Sequence, residues 1–420
     1  MSGGTLHEGI NETALAATRW AVVGLCMLFN VVDGMNAMVM AFTAASVSAQ
    51  WGLNGVELGM LLSASLIGMA GGSLFAAPMA DRYGRRPLLL AGLSFSGLCM
   101  LLSFWSQGLS ALMLLRTLTG IGLGAVLVGA NVLTHEHASA HRRGLAIALQ
   151  SLAFALGVSL GGVLAHLFNE SLGWRYVFLA GGLITFIVTC AGVLWLSESQ
   201  AFLALQQGRR DARLSGASPI REREFGQLFA SGQWRQTTSL ALAFFLIMFC
   251  FYFVMSWTPT LMVQNGFSQE QGAAGGILLS LGGMLGALLM GLGAHRFGGN
   301  RLLLGFVLLN SVLMTLMVPA TAVQSLAVAI GFSSGLLLNG AIAALFTLAP
   351  QAFATSIRTR GVGLVLAGGR CGAILSPAVA GLLLDAQWSP LGLFSFFAGS
   401  QVLAALLIWR GARPNSTKRT

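Results

Sequence analysis

Charge is what this chain has least of. Only 9% of its 420 residues are Asp, Glu, Lys or Arg, against about 25% in soluble domains. With 55% hydrophobic residues and a mean hydropathy of +0.78, the composition excludes a water-soluble globular fold. Lysine is nearly missing: Lys418 stands alone, and no G-x-x-x-x-G-K-[ST] loop occurs. ATP binding in the P-loop manner is therefore excluded for this chain, and no ATPase subunit is expected. The alternation of lipid-facing and lumen-facing residues that marks barrel strands is also lacking. The first 18 residues are too polar and too poor in Lys and Arg for a cleavable signal, so the first span is expected to be retained. Five cysteines (Cys26, Cys99, Cys190, Cys250, Cys371) all fall in apolar stretches. They read as small packing residues and imply no disulfide framework.

What is present is a series of apolar runs of about 20 residues, the length that spans a bilayer as a helix. Twelve can be counted, at 19–45, 56–78, 87–106, 109–133, 144–168, 175–196, 236–262, 271–294, 301–320, 324–349, 360–384 and 390–410. The expected fold is all-α, with the lipid bilayer as its partner. The 55 glycines suit helices that pack backbone to backbone in a membrane.

The few charges set the orientation. Of 23 Lys and Arg, Arg116 and Arg370 lie inside spans and Arg175 follows span 5. The other 20 fall at the N-terminus, in loops 2–3, 4–5, 6–7, 8–9 and 10–11, or at the C-terminal end. By the positive-inside rule these sites and both termini are cytoplasmic. The net charge of +10 is thus a topology signal. Basic residues spread over many short loops do not make a nucleic-acid surface.

Residues 197–235 form the longest polar segment and read as a cytoplasmic linker. It divides the chain into a tail (1–18), a six-helix half (19–196), a second six-helix half (236–410) and a C-terminal tail (411–420). The halves resemble each other. DRYGRR at 81–86 follows span 2 and HRFGGNR at 295–301 follows span 8, with Gly84 and Gly298 in register. HRRGLAI at 141–147 and RTRGVGL at 358–364 enter spans 5 and 11. Parallel repeats with a site between them near the midplane are a transporter architecture.

Within the spans, full charges cost several kcal/mol and mark candidate functional sites. Asp33, midway along span 1, reads as a proton-binding carboxylate or as half of an interhelical ion pair. Arg370, eleven residues into span 11, can grip a carboxylate through two parallel hydrogen bonds or can pair with Asp33. Arg116 lies in the outer half of span 4. Span 7 carries Phe244, Phe245, Phe249, Phe251, Tyr252, Phe253 and Trp257. Most read as packing or lipid-facing rings; Tyr252 and Trp257 are the better site candidates, because each has a polar atom needing a partner. Asn36 and Asn339 are costly in hydrocarbon and fit either a substrate hydroxyl or interhelical hydrogen bonds. His135, Glu136, His137 and His141 have ligand-like spacing, but cytoplasmic histidines are commonly solvated; that reading is preferred, and no metal is expected.

DRYGRR at 81–86 and RTLTGIGLG at 116–124 resemble signatures of the major facilitator superfamily. DGMN at 33–36, NVLTHEHA at 131–138, GWRYVFLAGG at 173–182, SWTPTLM at 256–262 and SIRTRGVGLVLAGGRCGAILSP at 356–377 resemble its aromatic acid/proton symporter family, the 4-hydroxybenzoate, benzoate and phenylpropionate-type permeases. The resemblance covers essentially the whole chain. It departs at Ala77 and His295, and at Asn36, where the family pattern D-G-x-D has a second acid.

The resemblance implies a bacterial inner-membrane transporter, not an enzyme, with no cofactor and a proton gradient as energy source. It implies proton coupling through Asp33 and Arg116. It implies contact of Arg370 with a small organic acid; Asn36, Asn339, Tyr252 and Trp257 remain the further substrate-binding candidates on their own chemistry. It implies a cytoplasmic gate built from Asp81, Arg82, Gly84, Arg85 and Arg86, with Glu136, Arg142, Arg143, Arg358 and Arg360 in its charge network. Drug/proton antiporters of the superfamily carry Gly-Pro inside span 5, where this chain reads GVSLGG at 157–162. A sugar would not need a mid-membrane arginine. The expectation is import of an aromatic carboxylic acid with protons. The alternatives are another organic anion, such as a muconate-like dicarboxylate or a shikimate-like acid, a drug exporter, or a sensor that binds an acid without moving it.

Overall fold

The computed structural model describes residues 3–138, 143–199, 202–204, 206–207, 234–353 and 358–411. Side chains of some helical residues, among them Asp81, Arg143, His295, Arg358 and Arg360, lie outside that description. Among the described residues twelve long helices follow one another: α1 Gly3–Trp51, α2 Gly55–Tyr83, α3 Arg85–Ser103, α4 Leu109–His137, α5 Arg143–Phe168, α6 Trp174–Trp195, α7 Trp234–Gln264, α8 Gln269–Phe297, α9 Gly299–Ala320, α10 Gln324–Leu348, α11 Arg358–Asp385 and α12 Pro390–Gly411. A 3₁₀ turn, Ala349–Ala352, follows α10. All twelve contain a stretch long and apolar enough to cross a membrane. A backbone in hydrocarbon must satisfy its own hydrogen bonds, and a helix does so within one segment. The chain is a multi-pass membrane protein.

Several helices outrun the apolar stretches that announce them. The first is helical from Gly3, inside the expected tail, and runs past residue 45 to Trp51. It stops where Gly52 takes a positive φ of 62°. Hydropathy marks what lies in lipid; helix ends are set by breakers. The turn expected over residues 81–86 shrinks for the same reason. Asp81, Arg82 and Tyr83 are the last turn of α2, and α3 starts at Arg85. Gly84 alone breaks the helix, with φ 111°. Its counterpart Gly298, φ 82°, separates α8 from α9. Arg175, expected in a loop, is the second residue of α6; its guanidinium donates to the Ser106 carbonyl at 3.1 Å.

Contacts divide the chain into two units that do not follow the linker. One holds Met1–Ala37, Ile67–Gly161 and Arg175–Ile220; the other holds Met38–Leu66, Gly162–Trp174 and Arg221–Thr420. In the first unit an apolar core joins Val22, Cys26 and Phe29 of α1 to Leu89 and Leu93 of α3, Val126 and Leu133 of α4, and Val188 of α6. In the second, Ala243, Phe244 and Ile247 of α7 pack with Leu303 and Val307 of α9, Ala344 and Leu345 of α10, and Ala405 and Ile408 of α12.

Each unit uses the same joints. In the first, a Cβ on Gly68 or Gly72 of α2 would overlap the carbonyls of Thr117 or Ile121 on α4. In the second, Gly282 and Gly286 of α8 meet the carbonyls of Phe332 and Leu336 on α10. Each glycine pair is offset by 214 residues, the offset that relates the two loop sequences. The contact of Gly157 with the Val31 carbonyl likewise recurs as Gly372 with Phe245. The repeat read in the loops is thus written into the helix crossings, where only glycine lets backbones approach this closely.

Candidate functional site

In the first unit the site is built on α1, α3, α4 and α6. Asp33 and Asn36 lie one turn apart on α1, and both are fully buried. Arg116, in the second turn of α4, is also completely enclosed. One guanidinium nitrogen reaches the Asn36 carbonyl at 3.3 Å. Another donates to Thr119 Oγ1 at 2.8 Å and meets the Met100 sulfur at 2.7 Å. The guanidinium carbon sits 4.9 Å from the centroid of the Phe178 ring on α6. A cation is thus held inside the helix bundle by a carbonyl, a hydroxyl, a thioether and an aromatic face, the soft and weakly hydrated surroundings that suit guanidinium better than ammonium. The Asn36 amide donates to Thr185 Oγ1 on α6 at 2.9 Å. Asn36 therefore links α1 to α6 through its side chain and to α4 through its backbone.

The second unit carries the other candidates. Arg370 is half-buried on α11. Next to it, Gly369 leaves room for the ring of Phe244, and Gly372 receives the Phe245 carbonyl of α7. Asn339 is half-buried on α10, and its amide donates to the Gly335 carbonyl of its own helix at 3.1 Å. Tyr252 lies edge-on to Phe251, with ring centroids 5.3 Å apart. Trp257 is fully buried, and its indole N–H donates to the Pro377 carbonyl of α11 at 3.1 Å. Of the remaining rings of α7, Phe253 stacks on Phe397 of α12 at 3.9 Å and Phe249 stacks on the same ring at 4.7 Å.

The charged turn between α2 and α3 is drawn together inside the first unit. Arg85 is 5% exposed and pairs with Glu136 of α4 at 3.3 Å. Its guanidinium also lies 4.8 Å from the Phe202 ring centroid. Arg86 donates to the Val193 carbonyl at 2.8 Å, and Arg82 lies against its neighbour Tyr83. Arg142 falls outside the described residues, as do the side chains of Asp81, Arg143, Arg358 and Arg360. Sequence reasoning missed Glu198. Its carboxylate accepts from the backbone N–H of Arg85 at 3.2 Å and of Arg86 at 3.1 Å, capping α3 where Gly84 cannot. Its signal in the sequence is an acid just beyond span 6, at the start of the polar segment 197–235. Among the described residues no group of three His, Cys, Asp or Glu could hold a metal ion.

Comparison with known proteins agrees with this architecture. The family profile described as Major Facilitator Superfamily matches residues 25–356. The gallate transporter of Pseudomonas putida is 32% identical over 425 residues, covering 95% of this chain and 94% of the relative. The 4-hydroxybenzoate transporter PcaK of Pseudomonas aeruginosa is 30% identical over 419 residues, covering 95% and 92%. The 3-(3-hydroxy-phenyl)propionate transporter of Escherichia coli is 28% identical over 388 residues, covering 92% of each. Among solved structures, the xylose transporter XylE from E. coli in a partially occluded inward-open conformation superposes with a TM-score of 0.75 at 16% identity. It covers 94% of this chain and 99% of that one, a likeness of fold alone. By its profile, its full-length relatives and its twelve helices, this chain belongs to the Major Facilitator Superfamily, in the branch that contains these transporters.

Proposed function

We propose that this protein imports an aromatic carboxylic acid together with protons across a bacterial inner membrane, both termini facing the cytoplasm. The reading rests chiefly on Arg370. It is a half-buried guanidinium in the middle of a membrane helix, in a chain whose full-length relatives are transporters named for hydroxylated aromatic acids. A planar fork of donors matches a carboxylate, and the rings of α7 supply an apolar wall. Asp33 carries the proton, and Arg116 holds α1, α3, α4 and α6 in register around it. Transport proceeds by alternating access of the two six-helix halves, without cofactor or ATPase subunit. A ligand drives such a change only through different affinities for the two states.

With Asn36 where the related pattern has a second acid, one proton accompanies each monoanion and transport is electroneutral. The pH gradient then drives it with ~1.4 kcal/mol per pH unit. Uptake into proteoliposomes, alkaline inside, tests the reading across a panel of labelled benzoates, hydroxybenzoates, phenylpropionates and aliphatic acids. Accumulation of an aromatic acid that collapses with a protonophore and with Arg370→Ala is the expected result. Preference for an aliphatic dicarboxylate would transfer the reading to another organic anion. Absence of all acid uptake by folded protein would overturn it, and a substrate-evoked inward positive current would overturn electroneutrality.

A further inference from the structure

At one end of α2, a seam with α11 runs through the second unit. Gly55, Gly59 and Ser63 of α2 face Gly381, Pro377 and Ile374 of α11, each set spaced by about one turn. A Cβ on Gly55 would lie 2.5 Å from the Gly381 carbonyl oxygen, and one on Gly59 would lie 2.5 Å from that of Pro377. Ser63 Oγ donates to the Ile374 carbonyl at 2.8 Å. The mouth of the seam is closed by Asp385, the last residue of α11. One carboxylate oxygen accepts from Gly55 N–H at 2.6 Å and the other from Val56 N–H at 2.8 Å.

Those amides are the first two of α2, which have no acceptor inside their own helix. The local sequence caps α2 without them. Asn54 Oδ1 accepts from Glu57 N–H at 2.8 Å, and Glu57 Oε2 accepts from Asn54 N–H at 3.0 Å, a reciprocal capping box. Asp385 takes the two donors that this box leaves over. Its partners lie about 330 residues away in the chain. The bond therefore joins two helices rather than completing one. The other end of α2 is the DRYGRR turn, 29 residues on. At ~1.5 Å per residue the two lie on opposite membrane faces.

We propose that Asp385 is a gating residue that latches α2 to α11 and holds the path closed on the face opposite the DRYGRR turn. This rests on the alternating-access reading above, in which α2 and α11 belong to halves that must part on that face. When they part, Gly55 and Val56 exchange the carboxylate for water, so the latch sets how often that face opens.

The test uses a variant with the native cysteines replaced and Ser63→Cys as the sole thiol, labelled in intact cells by a membrane-impermeant maleimide. Asp385→Ala should raise its labelling rate roughly fivefold or more over the same reporter with Asp385 present. Asp385→Asn, which keeps the volume and one acceptor, should fall between. A parallel variant with buried Cys26 as the sole thiol should not change. Unchanged labelling at Ser63→Cys in both Asp385 variants would overturn the latch, and so would an equal rise at Cys26, which would report general loosening. If Asp385→Ala does not reach the membrane, Asp385→Asn gives the reading alone. Acid uptake by the unmodified protein separates the two ideas: uptake without a labelling shift sinks only the latch, and a shift without uptake sinks only the substrate.

Discussion

The clearest energetic test concerns Gly84 and Glu198. The Glu198 carboxylate caps α3 through Arg85 N–H and Arg86 N–H. Replacing Glu198 by Ala removes that cap, at ~0.5–2 kcal/mol, and the favourable charge at a helix N-terminus, at ~0.3–1 kcal/mol. The sum is about 1–3 kcal/mol. Gly84→Ala carries two costs. Its φ of 111° lies in a region that side chains reach only with ~1–3 kcal/mol of strain. Its new Cβ would also stand 2.5 Å from Glu198 Oε2, forcing the carboxylate off the cap. In the double variant the collision has no partner and the cap is already lost. The two losses should therefore fall short of adding by about 1 kcal/mol or more. Unfolding in mixed micelles titrated with SDS, followed by tryptophan fluorescence, gives all three values. Additivity to within ~0.5 kcal/mol would show that Glu198 does not hold this turn.

Other substitutions probe the remaining joints. Arg116→Lys keeps the charge but loses the fork that reaches Asn36, Thr119 and Met100; it should cost about 2–3 kcal/mol in the same unfolding assay. Asn36→Ala and Thr185→Val each break the 2.9 Å bond between α1 and α6. A double-mutant cycle should give a coupling of ~1 kcal/mol, and a KM rise confined to Asn36→Ala would assign that residue to substrate as well. Trp257→Phe leaves the Pro377 carbonyl without its indole donor. It should cost ~1 kcal/mol with KM unchanged, and a large KM rise would instead place the indole on the substrate. Gly282→Val pushes a side chain into the Phe332 carbonyl and should cost ~1–3 kcal/mol, as should Gly68→Val at the matching joint; thermal midpoints in detergent check the pair.

Much of the fold was legible because hydrocarbon imposes a simple rule. Twelve apolar runs gave twelve helices, and the 214-residue offset between the DRYGRR and HRFGGN loops returned as matched glycine joints. Helix ends were less legible. Asp81, Arg82 and Tyr83 look like loop residues by polarity, yet nothing stops a helix there until Gly84. Side-chain partners were least legible of all. Arg116 and Asn36 are conspicuous by chemistry, but nothing in the sequence says that one donates to the other's carbonyl, because that depends on the crossing of α1 and α4. Glu198 and Asp385 escaped notice for a related reason. Each caps a helix distant in the chain, and the sequence near a cap shows only its local half.

The cap by Glu198 also extends the first unit's packing beyond the end of α6. Leu196 is in the first unit's core, Ser199 is buried, and Phe202 lies beneath the Arg85 guanidinium. Beyond α6 the chain is therefore held at Leu196, Ser199 and Phe202, the last against the turn that carries Gly84. A fluorescent protein or an epitope spliced between Trp195 and Phe202 would pry that fastening apart, whereas the same insert placed after Gln207 would leave it intact. Anyone tagging this transporter internally has an address for the graft, and it begins several residues later than hydropathy alone would choose.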